Sequence, residues 1–350
     1  LEQAKQAVDK VIDYATRSEE VMGSWRNRIT FVADDGDNNI HLKQAEDLAY
    51  IVDTTETVYD VTKIYLDAYE QLSMPGGNRY PEVNKAIDRD VTNGALIVNY
   101  TGHGGELGWA DERVLDIPMI NLWENLDNMP VFVTATCEFS RFDDPAHISA
   151  GELVFLNPEG AGIGLYTTTR LAYSQSNFGL NKKFYNHAFD WDSNYHEFQR
   201  MGDLIMKAKN PANNNIRNFV LLGDPALMLV YPKKNVETTS ITNENGEAID
   251  TLKALARVTI EGAIKDEWGN PMNNFNGIVN PVVYDNPVIN TTLGNDQGSK
   301  VTNFLQRNKV LYNGTATVTD GEFSFSFVVP KDIGYSLWNG KVIYYPYDTT

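Results

Sequence analysis

Two stretches decide the reading of this chain: Ala95 to Tyr100 (ALIVNY), running into Thr101-Gly102-His103-Gly104-Gly105, and Pro130 to Thr136 (PVFVTAT), running into Cys137-Glu138-Phe139-Ser140. Each opens with a nearly continuous apolar run, the pattern of a central parallel strand buried on both faces. Each then delivers a residue that can do chemistry. In an open parallel sheet, ligands bind beyond the carboxyl ends of the strands, so an imidazole and a thiol are expected at one edge. A thiol beside an imidazole shifts towards the nucleophilic thiolate. The glycines flanking His103 allow a sharp turn and close approach to a bound peptide. The backbone N–H groups of Gly104 and Cys137 are candidate oxyanion donors, each worth about a hundredfold or more in rate. Singly, neither residue decides anything. A histidine in a glycine turn can cap a strand end, and a lone cysteine is more often a small buried hydrophobe. Their coincidence at two strand ends favours chemistry.

Outward from these strands, the first two thirds of the chain alternate strand-like and helix-like segments, which predicts an α/β sheet built from crossover units. Arg28 to Ala33, Val61 to Leu66 and Ala161 to Tyr166 read as further strands, and Leu221 to Val230 returns the chain to the sheet edge. Helices are expected over 3–17, His41 to Asp53, Pro81 to Val91 (with proline in the first turn), Asn177 to Phe189 and Tyr195 to Lys209. The pattern changes after Tyr231. Residues 233–250 read as a linker or irregular strand, and from Ala256 short alternating runs with turn signals predict a β-sandwich. Asp285 to Lys300, rich in Asn and Gly, is expected to be a long mobile loop. The predicted division is 1–232 and 233–350.

The 350 residues carry a formal net charge of −18, with 42% hydrophobic and 22% charged residues. That balance suits a protein with a sizeable core and argues against a nucleic-acid partner, which needs a basic face. No apolar run is long enough to span a bilayer. The sequence begins at Leu1 without an initiator Met or signal peptide and reads as an excised segment whose targeting signal lies elsewhere. Cys137 is the single cysteine, so no internal disulfide forms and no C-x-x-C pair offers a structural zinc site. The G-x-S-x-G of serine hydrolases is absent. Counted from Asp35, the run Asp34-Asp35-Gly36-Asp37-Asn38-Asn39 partly fits a calcium loop, with Asp37, Asn39 and Glu46 at ligand positions. However, Ile40 stands where glycine is required. Such a run more often caps the next helix, and a third role for Asp35 is to orient His103.

The residues Asn99-Tyr100-Thr101-Gly102-His103-Gly104, Ala135-Thr136-Cys137 and Gly223-Asp224-Pro225-Ala226-Leu227 together resemble the motifs of the gingipain family of cysteine peptidases. FVADDGD, GHGGELGWADERVL, TATCEFSRFDDP and GLYTTTRLAYSQSN resemble most closely its PorU-type branch, the sortases of the type IX secretion system. The likeness covers roughly residues 3–231. It implies a caspase-like fold with helices on both faces of a parallel-rich sheet, His103 as base and Cys137 as nucleophile. It also implies a carboxylate behind His103: Asp35 is the nearest match, with Asp34 or Asp37 as substitutes. Arginine specificity does not carry over, because the pocket region reads Asn38-Asn39-Ile40. The family's N-terminal subdomain is missing, which implies a folded but weakly active segment, and the part after residue 233 resembles an immunoglobulin-like domain. The implied activity is cleavage of the C-terminal sorting domain of exported proteins through an acyl-enzyme on Cys137. That acyl group would pass to water or to an amine on lipopolysaccharide. Other secretion components are implied partners, no cofactor is required, and the implied location is the outer membrane or cell surface of a Gram-negative bacterium. Trp109, Glu138 and Arg141 are candidates for a substrate groove, with packing or surface roles equally open. The competing readings are a secreted gingipain-like endopeptidase without a sorting role and a non-catalytic binding scaffold.

Overall fold

A six-stranded sheet organises the first of two compact units, which comprises Leu1–Val21, Arg28–Tyr231 and Asn290–Phe304. The computed structural model describes residues 1–16, 21–192, 196–211, 213–336 and 338–348. The strands are β1 (Arg28–Ala33), β2 (Asp60–Tyr65), β3 (Ile97–Thr101), β4 (Val131–Ala135), β5 (Gly164–Thr168) and β6 (Phe219–Leu222), arranged β6-β5-β4-β3-β1-β2. All neighbours pair in parallel except β5 and β6, which are antiparallel. Every residue of β3, β4 and β5 is buried, as their apolar and β-branched runs, interrupted in β3 by Asn99, favour. The chain runs from β1 outward to β2 and then crosses back to β3 on the other flank of β1. The gap between the ends of β1 and β3 is therefore the switch point where such sheets bind ligands.

Besides a five-residue helix at Ile117–Asn121, the helices are α1 (Glu2–Thr16), α2 (Gly36–Thr55), α3 (Pro81–Thr92), α4 (Ala150–Leu156), α5 (Ser174–Ala188) and α6 (Met201–Ala208). Residue 17, the expected end of the first helix, and Tyr195, the expected start of the last, lie outside the described residues. Glu197–Phe198 is a short strand, so the last helix begins only at Met201. Helix α4 opens on a reciprocal capping box between Ser149 and Glu152, which satisfies two otherwise orphaned N–H groups. Beyond its other end the buried Lys10 ammonium of α1 donates to the carbonyls of Phe155 (3.0 Å), Asn157 (3.0 Å) and Gly160 (2.6 Å). The first two are acceptors that a helix C-terminus leaves without partners, and the third belongs to the loop that follows. One apolar core joins Val32, Val98, Tyr100, Trp109, Phe132 and Leu165 beside the sheet.

The stretch expected to be a mobile loop is in fact tied into this unit from Asn290 onward. The buried Asp67 carboxylate accepts the N–H groups of Gly294 (3.0 Å) and Asn295 (2.7 Å), and its carbonyl accepts from Leu293 (2.7 Å). Ser299 Oγ donates to the Asp35 carbonyl at 2.5 Å, and Lys300 N to Asn39 Oδ1 at 2.5 Å. Asn and Gly here serve a fixed strap, because buried backbone groups must be paired wherever the chain is held.

The second unit comprises Met22–Asn27, Pro232–Ile289 and Leu305–Thr350. Its strands are β7 (Asn235–Asn243), β8 (Arg257–Lys265), β9 (Gly277–Tyr284), β10 (Val310–Asn313), β11 (Ala316–Thr319), β12 (Glu322–Val328) and β13 (Lys341–Asp348). They are antiparallel: six follow the hydrogen-bonded order β7-β8-β12-β11-β9-β10, and β13 pairs with β9 off that path. Strict alternation of buried and less buried residues along β9 and β12 places Val279, Val283, Phe323, Phe325 and Phe327 in a shared core, the signature of sheets packed on one face. Of the two expectations for residues 233–250, linker or irregular strand, the structure holds the second: β7 is an edge strand paired to β8 with one register shift between Thr238 and Ser240.

Candidate active site at three strand ends

Thr101 of β3 is in register with Ala33 of β1 on one side and Ala135 of β4 on the other. The pairing continues past the strands: Asp34 N donates to Thr101 O at 3.1 Å, and Gly102 N to Ala135 O at 3.3 Å. Three loops thus leave the sheet at one level, bearing Asp34 to Asp37, His103 and Cys137. His103 and Cys137 each stand two residues beyond the paired Thr101 and Ala135, on strands separated by about 4.8 Å.

The turn that carries His103 is shaped by close approach. A Cβ on Gly102 would lie 2.3 Å from Asp34 Cβ and 2.5 Å from the Tyr100 hydroxyl oxygen. A Cβ on Gly104 would lie 2.6 Å from Thr136 Oγ1 and 2.9 Å from the Gly108 carbonyl. Only glycine lets these loops pack so tightly. The His103 backbone is pinned from two sides. Its N–H donates to Asp34 Oδ2 at 2.7 Å, and its carbonyl accepts from the Tyr100 hydroxyl (2.6 Å) and from Ala110 N (2.9 Å). The half-exposed imidazole places Nε2 3.2 Å from Asp37 Oδ2.

Asp35, the nearest match for the carboxylate behind the histidine, does not take that position. It is 2% exposed, and the Tyr80 hydroxyl donates to it in a short hydrogen bond. The reason is local geometry. Asp37, Asn38 and Asn39 all adopt left-handed backbone (φ 56°, 56° and 65°) at the start of α2, and this turn swings Asp37 rather than Asp35 beside the imidazole. Burial, assisted by the neighbouring charges of Asp34 and Glu112 and opposed by the Tyr80 hydrogen bond, pushes the Asp35 carboxyl up to about 8. The carboxylates counted towards a calcium loop also take separate partners: Glu46 accepts from Lys63 (2.8 Å) and the Tyr65 hydroxyl (2.7 Å).

Cys137 is half-buried, its sulfur 3.4 Å from the carbonyl and 3.5 Å from the N–H of Ala172. Among the described residues no acceptor takes the Cys137 N–H. Just beyond it, Glu138 and Arg141 are partly exposed. The Arg141 guanidinium lies 3.7 Å from Glu138 and 2.7 Å from Glu106, which also binds His147. Trp109 cannot line a groove. It is fully buried, stacked on Tyr100 with ring centroids 4.3 Å apart, because a large apolar ring gains more from the core than from a wet rim.

Sequence reasoning missed His41 altogether. It lies on α2, only 4% exposed, with its ring edge-on to His103 at a centroid distance of 5.0 Å. Burial holds its pKa below the ordinary imidazole value. A histidine at a helical position inside an apolar pattern carries no sequence signal beyond its spacing.

A model of peptidase family C25, the gingipain family, matches residues 1–230. The chain belongs to that family. Its fold is similar to that of the Arg-specific cysteine proteinase gingipain R (RgpB), with a TM-score of 0.52 at 15% identity over 99% of this chain and 72% of that one. It is likewise similar to the complex of Porphyromonas gingivalis RgpB pro- and mature domains, with a TM-score of 0.50 at 17% identity over 97% of this chain and 73% of that one. A dimeric latent PorU from Porphyromonas gingivalis aligns over 92% of this chain and 41% of its own, at a TM-score of 0.32 and 16% identity. No curated protein matches the chain significantly. Membership in C25 makes the chain a cysteine peptidase by family, on the caspase-like, parallel-rich sheet described above. None of its described helices is long and apolar enough to cross a membrane.

Proposed function

We propose that this gingipain-family chain cleaves polypeptides with Cys137 as nucleophile and His103 as general base. The observation that carries the reading is the register of Thr101 with Ala135, from which each reactive residue follows at the same offset. In this mechanism His103 takes the thiol proton as sulfur attacks the scissile carbonyl carbon. The N–H groups of Cys137 and Gly104 receive the oxyanion. The imidazolium, held by Asp37, then protonates the leaving amine, and the acyl-enzyme on sulfur remains to be discharged. Asp37 replaces Asp35 in the role first assigned to the latter, since it is the carboxylate at the imidazole.

The narrower proposal is that of an extracytoplasmic sorting peptidase. It would remove C-terminal domains from type IX secretion cargo at the surface of a Gram-negative cell and transfer the acyl group to water or to a lipopolysaccharide amine. The stretches FVADDGD, GHGGELGWADERVL and TATCEFSRFDDP support it through their likeness to PorU-type sequences. The test is cargo processing in cells that express full-length protein with Cys137→Ala. Cargo should accumulate uncleaved. Normal processing would remove the proposal, and indiscriminate degradation of unfolded proteins by the wild type would favour a free endopeptidase instead.

A further inference from the structure

The second imidazole at the site has no part in peptide cleavage as described, and it is costly where it stands. His41 is 4% exposed, and neither of its ring nitrogens makes a hydrogen bond. A buried polar atom without a partner carries a desolvation penalty that a fold tolerates when something else meets it. Both imidazoles converge on carboxylates: Asp34, His41 and His103 bring ligand atoms within 4.8 Å of one another. Asp37 Oδ2 lies 3.2 Å from His103 Nε2 and 3.6 Å from His41 Nε2. Zinc with ligands at about 2.0–2.1 Å in a tetrahedron sets them roughly 3.3–3.5 Å apart, a spacing those two contacts bracket.

We infer that His41 and His103, with Asp34 or Asp37, form an exchangeable site for a borderline divalent cation such as Zn²⁺, and that filling it switches the base off. Imidazole nitrogens select zinc-like ions over calcium or magnesium, which prefer all-oxygen shells. Asp34 is already oriented by the N–H groups of Asp35 (2.9 Å) and His103 (2.7 Å), the outer bonding that fixes ligand carboxylates. The site is not of the closed four-ligand structural kind excluded by the absence of cysteine pairs; its three protein ligands leave a position for water. The neighbouring cluster of Glu106, Asp144 and His147 is a poorer host, because the Arg141 guanidinium already lies 2.7 Å from Glu106. A cation on His103 Nε2 leaves the ring's proton on Nδ1, so the imidazole can no longer accept one from the thiol. This last consequence rests on the proposed role of His103; the binding itself does not.

The experiment titrates Zn²⁺ into folded Cys137→Ala protein by calorimetry, with Co²⁺ absorption as a second probe of the ligand field. One ion should bind. Affinity should fall about tenfold or more in His103→Ala, whose half-exposed ring is not needed for folding, and in His41→Gln, while His147→Ala should leave it unchanged. Zinc should inhibit the wild type over the concentrations at which it binds. Absence of binding, equal affinity in His103→Ala, or loss of binding only in His147→Ala would overturn the inference. A protein that binds zinc as described but cleaves nothing would leave the site standing and remove the proposed peptidase role.

Discussion

The Oδ2 atom of Asp37 lies 3.2 Å from Nε2 of His103, and Asp37 reaches it from a left-handed backbone (φ 56°). Such a conformation costs a non-glycine residue roughly 1 kcal/mol or more, and here it recurs at Asn38 and Asn39. The turn aims one carboxylate at the imidazole and leaves Asp35 behind in the core.

Asp37→Asn should therefore lower kcat/KM by about 10- to 100-fold with little change in KM, because the carboxylate acts on the imidazolium and not on bound substrate. Its exposure keeps the loss below that of a buried triad aspartate. Steady-state kinetics on a peptide substrate checks this. An equal or greater loss in Asp35→Asn alone would reassign the role.

Asp35 should show itself in stability. Its folded pKa, raised by burial to about 8, exceeds the unfolded carboxyl value, so the folded state holds a proton that the unfolded chain has already released. The associated stability is fully present below about pH 4 and is lost as pH rises through about 8. Asp35→Asn keeps an acceptor for the Tyr80 hydroxyl and cannot ionise. Thermal unfolding of the variant and the wild type should converge near pH 4 and diverge near pH 8 in favour of the variant. Parallel melting curves at both pH values would contradict this.

Asp67→Ala should loosen the strap. Two backbone N–H groups, those of Gly294 and Asn295, would lose a buried acceptor, at a cost of about 2–4 kcal/mol. Hydrogen exchange should rise across 293–300 and, through Ser299 and Lys300, in the Asp35 to Asn39 turn. Activity should fall along with it. Unchanged protection in that turn would show the strap to be a bystander.

The strands of the site were legible because burial on both faces leaves an apolar run with few alternatives; Val131–Ala135 falls inside the stretch read as a strand, and Ile97–Thr101 overruns its own by the single residue Thr101. His103 and Cys137 were legible because each follows a strand end, His103 between glycines and Cys137 as the single cysteine. Asp37 was legible only as a substitute for Asp35, since a left-handed turn decides which of the two neighbouring carboxylates faces the imidazole and leaves no trace in spacing. For Trp109 the sequence left groove and packing roles equally open, and stacking on Tyr100 in the core decides for packing. The strap from Asn290 to Phe304 was hidden because its partners, Asp35, Asn39 and Asp67, lie more than two hundred residues away in sequence. Local composition announces polarity but not what satisfies it.

The central claim is that His103 acts on the Cys137 sulfur. The alkylation rate of Cys137 by iodoacetamide near neutral pH, in the wild type and in His103→Ala, tests it without any substrate. The account predicts rapid modification of the wild type and a rate lower by about tenfold or more when the imidazole is removed. Equal rates in the two proteins would mean that the thiol and the imidazole share a sheet edge but not a reaction.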